Sequence, residues 1–125
     1  MPWALSTAEL GDRVLELGPG PGLATDLLRQ RVRSLTAIEV DPILAESLGR
    51  RLRGSNVRIV VGDATEMPFP AEQFSSVVSF TMLHHVSSIA LQDQLFAEVR
   101  RVLKPGGVFV GSDSRQSWQM RMIHI

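Results

Sequence analysis

Residues 13–23 read RVLELGPGPGL, and this stretch decides the fold. A β-prone run, RVLEL, stops at the glycine cluster Gly18-Pro19-Gly20-Pro21-Gly22. The chain beyond it carries apolar residues at Leu23, Leu27, Leu28 and Val32. That order is strand, glycine-rich turn, then a helix over residues 23–32. Missing β-carbons let the turn adopt positive φ and let a ligand approach the backbone closely.

Working outward, LTAIEV at 35–40 reads as a second strand. Residues 43–53 read as an amphipathic helix with Leu44, Leu48 and Leu52 on one face and Pro42 at its start. VRIVV at 57–61 is a third strand, and the two-proline segment 67–74 is a loop crossing the sheet edge. FSSVVSF at 74–80 is a fourth strand. The stripe Leu91, Leu95, Val99, Leu103 marks a helix over 89–103, closed by Lys104-Pro105-Gly106-Gly107. GVFVGS at 107–112 is a fifth strand. Short apolar strands alternating with helices predict an α/β fold. It is a Rossmann-like, doubly wound and mostly parallel sheet of about five strands, in one domain spanning 1–125.

Lys plus Arg and Asp plus Glu balance at 13 each, so no net field directs the chain to nucleic acid or an anionic membrane. Arg29, Arg31, Arg33, Arg50, Arg51 and Arg53 read as a solvated face on two neighbouring helices. The chain has no cysteine, no apolar run of membrane-spanning length and no signal-peptide pattern at 1–10, so a cytoplasmic protein is expected.

In an open α/β sheet the ligand sits at the carboxyl ends of the strands. The first such end is the glycine loop, with Gly18, Gly20 and Gly22. The second is Glu39, at the spacing where a ribose-binding carboxylate belongs. Asp41, next to Pro42, reads as a helix cap instead. The third is Gly62-Asp63-Ala64, where an acceptor beside a small residue suits an adenine amine, although Asp after a strand also serves local turns. A dinucleotide pyrophosphate requires a neutral turn, and Glu16 puts a carboxylate beside it. Glu16 favours a ligand bearing an ammonium and a sulfonium, and Leu23 stands where a dinucleotide fingerprint needs its third glycine. Glu16 could also accept from nearby backbone N–H groups.

With Glu16-Leu17-Gly18-Pro19-Gly20-Pro21-Gly22, Glu39, Gly62-Asp63-Ala64, Leu83-His84-His85-Val86 and Leu103-Lys104-Pro105-Gly106-Gly107 in this order, the chain resembles the class I S-adenosylmethionine-dependent methyltransferases. The resemblance is strongest to the small-molecule, quinone-biosynthesis-like (type 11) group. It implies S-adenosylmethionine as cofactor and S-adenosylhomocysteine as product. It also implies Gly18, Gly20 and Gly22 at the methionine end, Glu39 at the ribose, Asp63 and Ala64 at the adenine, and Thr81 near the methyl group. His84 and His85 are weak candidates for a base and are more often a structural signature. Residues 81–84 read Thr-Met-Leu-His and lack the Asn or Asp, Pro, Pro, aromatic motif of enzymes that methylate base amino groups. A small-molecule acceptor is therefore expected, nucleic acid is not, and no metal site is expected.

The resembled sheet has seven strands, the last two covering the fifth as an antiparallel hairpin. Here about a dozen residues follow the fifth strand, so the expectation is a core lacking those two strands. Such a core is a truncated enzyme or a homo-oligomer covering the exposed fifth strand with the tail Trp118, Met120, Met122 and Ile123. A cofactor-binding module without a complete acceptor site is the second reading.

Overall fold

The computed structural model describes residues 10–80, 88–112 and 117–121. Its elements run β1 (Arg13–Leu17), α1 (Leu23–Leu28), β2 (Ser34–Glu39), α2 (Pro42–Arg51), β3 (Val57–Val61), β4 (Phe74–Ser79), α3 (Ile89–Val102), β5 (Leu103–Ser112) and β6 (Ser117–Arg121). They build one six-stranded sheet in the order β3-β2-β1-β4-β5-β6. The first five strands pair in parallel, as the alternating pattern predicts. The chain order reverses beside β1, between β2 and β4, so the glycine loop after β1 opens at the crevice where such sheets bind ligands.

The strands bury both faces. Leu15, Leu17, Val77 and Phe109 join Leu95, Val99 and Val102 of α3 in one core cluster. Val14, Leu35, Val78, Val108 and Val110 pack with Leu28 and Val32 in the other. This two-sided burial explains why the strands read as nearly continuous apolar runs. The proline-containing segment between β3 and β4 is a loop, as expected. Its Met67 and Phe69 are buried, and Phe69 meets Phe74 edge-on at 5.2 Å. Arg101 of α3 ties that loop down by donating to the carbonyls of Phe69 at 2.6 Å and Met67 at 3.0 Å.

Three expectations are corrected. The first helix ends at Leu28 instead of running to residue 32. The fifth strand begins at Leu103, ahead of Lys104-Pro105-Gly106-Gly107. That glycine segment is an irregularity in the β4–β5 ladder: Phe74 pairs with Leu103 and Ser76 with Val108. It is closely packed at Gly107, where an added Cβ would meet the Lys104 carbonyl oxygen at 2.8 Å. Finally, the fifth strand is not an unpaired edge. β6 lies antiparallel against it, from Val108 opposite Arg121 to Ser112 opposite Ser117, and occupies the backbone groups proposed for a second copy. Trp118 and Met120 belong to that strand, while Met122 and Ile123 lie outside the described residues.

Candidate functional site

The glycine loop departs from extended backbone at alternate residues. Gly18, Gly20 and Gly22 have φ of 62°, 56° and 91°, and the prolines between them restrict the remaining freedom. Gly22 N–H closes the turn on the Pro19 carbonyl at 3.0 Å. The two later glycines meet different surroundings. A Cβ at Gly22 would lie 2.5 Å from Leu48 Cδ2 and 2.7 Å from an Arg51 nitrogen, so this glycine lets α1 and α2 pack together. At Gly20 nothing lies within 4 Å, so the loop opens outward there.

Glu39, at the end of β2, is 6% exposed, and its carboxylate holds the loop from beside it. Gly20 N–H donates to Oε1 at 3.0 Å and Asp41 N–H donates to Oε2 at 2.9 Å. A carboxylate has about four lone-pair sites, so two further donors can still be accepted. Asp41 is the N-cap of α2, its side chain accepting from Ile43 and Leu44 N–H, which leaves Glu39 as the carboxylate facing the loop.

Glu16 is 2% exposed on β1 and accepts a 2.6 Å hydrogen bond from the Thr25 hydroxyl of α1. Burial pushes its carboxyl up from 4.5 to about 7. The Thr25 bond opposes this rise and the charge of Asp26 adds to it. Asp26 stays charged because Arg51 binds both of its oxygens, at 2.8 and 3.0 Å, and holds it below the usual carboxylate range. Thr25 and Arg51 escape sequence reasoning. The available signal for Thr25 is a polar residue on the inward stripe of α1, three positions before Leu28.

Gly62 N–H bonds the Glu39 carbonyl at 3.0 Å, bringing the third strand end beside the second. Asp63 is exposed, and its Oδ1 accepts from both the N–H and the hydroxyl of Thr65, at 2.8 and 2.7 Å. Asp63 thereby closes a local turn after β3. Ala64 is buried beside it. Val40, Ile43 and Val61 are exposed at 63%, 77% and 56%, an apolar border next to Glu39 and Asp63. Thus Glu16, Gly18, Gly20, Gly22, Glu39, Asp63 and Ala64 sit at three adjacent strand ends. Thr81, His84 and His85 lie outside the described residues. Among the described residues, no group of three His, Cys, Asp or Glu could hold a metal ion.

A doubly wound parallel sheet with a glycine-rich loop at its switch point is the architecture of a nucleotide-binding α/β domain. The chain belongs to the methyltransferase domain family, whose model matches residues 15–111. The S-adenosylmethionine-bound amino pentose methyltransferase of calicheamicin biosynthesis from Micromonospora echinaspora superimposes with a TM-score of 0.75. It is 26% identical over 82% of this chain and 43% of its own. The YcgJ protein from Bacillus subtilis gives 0.73, with 28% identity over 84% of this chain and 45% of its own. The family and the S-adenosylmethionine-bound amino pentose methyltransferase make S-adenosylmethionine the cofactor.

Curated relatives correct the acceptor. A protein of Methanothermobacter thermautotrophicus named "Probable ribosomal RNA small subunit methyltransferase A" is 39% identical over 106 residues, 76% of this chain and 38% of its own. The protein of the same name from Pyrococcus furiosus is 36% identical over 115 residues, 82% and 42%. The chain thus spans less than half the length of these relatives. Their names overturn the expectation of a small-molecule acceptor and of no nucleic acid. That expectation rested on the motif absent at residues 81–84, which lie outside the described residues, and on a balanced net charge, which averages over the whole surface and does not report local patches. No helix among the described residues is long and apolar enough to cross a membrane.

Proposed function

We propose that the chain is the S-adenosylmethionine-binding core of a methyltransferase acting on RNA. The observation that carries the cofactor reading is the clasp between Glu39 and Gly20 N–H, at the point where the loop surface is open. The RNA reading rests on the names of the curated relatives. S-adenosylmethionine supplies a methyl group activated on a sulfonium.

This chain's own residues bind, orient and exclude water. Glu39 accepts the ribose hydroxyls with the lone pairs its backbone donors leave. Gly18 and Gly20 admit the methionine end, while the buried Glu16 adds a negative charge beneath it. Val40, Ile43 and Val61 cover an adenine ring, and Asp63 accepts from its amine. Positioning supplies most of the acceleration in a direct transfer, so no covalent enzyme intermediate is needed. A cytosolic setting belongs to the same proposal.

The test is transfer of a labelled methyl from S-adenosylmethionine to RNA by the 125-residue chain, beside calorimetry of the cofactor. Cofactor binding with labelled RNA is expected. Binding without transfer to any RNA marks a cofactor-binding module, and absence of binding overturns the reading.

A further inference from the structure

The six arginines at 29–33 and 50–53 do not form one solvated helical face. Arg29 and Arg51 pair with Asp26, and Arg50 pairs with Glu46 one helical turn away. Arg31, Arg33 and Arg53 fall beyond the ends of α1 and α2. They are exposed and have no carboxylate partner among the described residues; Arg58 of β3 is in the same state.

The fold gathers these four at one place. The Asn56 amide donates to the carbonyls of Arg29 at 2.8 Å and Val32 at 2.9 Å, binding the connection before β3 to the connection before β2. Leu35 N–H bonds the Asn56 carbonyl at 3.1 Å, and Thr36 pairs with Arg58 across the ladder. Ser55 folds the turn after α2 back on Leu52, at 2.6 Å, carrying Arg53 to the same rim. Arg13, opposite Ser34, adds a fifth cation, and the exposed Asp12 precedes it in the chain.

We propose that this amino-terminal rim of β2 and β3 binds the phosphate backbone of a polynucleotide through Arg31, Arg33, Arg53 and Arg58. The proposal deepens the RNA reading above and rests on it. Guanidinium groups suit the partner because they stay charged and pair with phosphate oxygens through two parallel N–H donors. The rim lies at the opposite end of the strands from Glu39 and Asp63, about 17 Å away for a five-residue strand. A folded RNA spans that distance along β3, the edge of the sheet. The rim therefore anchors RNA without occupying the cofactor crevice.

The experiment follows fluorescence polarisation of a fluorescein-labelled 20-nucleotide single-stranded RNA with the 125-residue chain, from about 50 to 200 mM KCl. R31A/R33A/R53A/R58A is compared with R53A/R58A and with R100A/K104A, which removes two exposed cations near β5. Each phosphate contact contributes about 0.7 to the log–log salt slope for a single strand, so four lost contacts flatten it by about 3. At 50 mM the quadruple variant binds at least tenfold more weakly than the original chain, and R100A/K104A binds like it. Unchanged thermal midpoint and S-adenosylmethionine affinity establish that the variants are folded. An original chain that ignores RNA, or prefers phosphatidylserine vesicles, overturns the RNA reading and the rim with it. RNA binding that survives the quadruple change, or falls equally in R100A/K104A, overturns the rim alone.

Discussion

Replacing Glu16 with Gln separates the stability of the fold from its binding of a cation. The Glu16 carboxyl ionises at about 7 in the folded chain against 4.5 in an exposed state, so the folded form holds its proton more tightly. Between those values the folded state binds more protons than the unfolded state, and stability falls as pH rises. At about 1.4 kcal/mol per pKa unit, ionising Glu16 costs roughly 3 kcal/mol above pH 7 and almost nothing below 4.5. Gln keeps an acceptor for Thr25 and cannot ionise. Urea unfolding of Glu16→Gln and the original chain is therefore expected to differ by about 3 kcal/mol at pH 8, with the variant more stable, and by less than about 1 kcal/mol at pH 5. S-adenosylmethionine should reverse the ranking, because a sulfonium and an ammonium near Glu16 favour its charged form. The variant should bind the cofactor more weakly at pH 8. The original chain should release a proton on binding near pH 6.5, seen as a calorimetric enthalpy that depends on the buffer. A stability difference that does not change with pH refutes the reasoning about burial. Equal affinity in both chains removes Glu16 from the ligand.

Glu39→Ala removes an acceptor shared by Gly20, Asp41 and the proposed ribose, and should weaken cofactor binding by about 1 to 3 kcal/mol in calorimetry. Unchanged affinity moves the ribose elsewhere. Gly22→Ala combines a left-handed φ with a collision against Leu48, and should lower unfolding stability by about 2 to 4 kcal/mol; Gly20→Ala, which meets nothing, should cost about 1. The order of the two, read by urea titration, is the test. Arg101→Ala frees the loop that holds Met67 and Phe69, and with its partly exposed side chain should cost about 1 to 2 kcal/mol. Hydrogen exchange should rise in the segment between Asp63 and Phe74.

The parallel sheet was legible because its strands are short apolar runs, most of them ended by a glycine or a charge. The end of α1 was not, since Val32 continues the apolar stripe. Val32 is buried from the following turn, held there by Asn56, while Leu23 on the same stripe is 78% exposed. β6 carries little local signal in SWQMR, and pairing with β5 through the backbone creates it. At the site, spacing alone located the glycines and Glu39. The clasp on Gly20, the Thr25 bond and the Arg51 pair join residues 9 to 25 positions apart, so only the folded chain brings them together.

Calorimetric titration with S-adenosylmethionine and, separately, NAD tests the central claim most directly. The expected result is one-to-one binding of S-adenosylmethionine, weakened in Glu39→Ala, and no heat from NAD. Binding of NAD alone, or S-adenosylmethionine binding indifferent to Glu39, contradicts it.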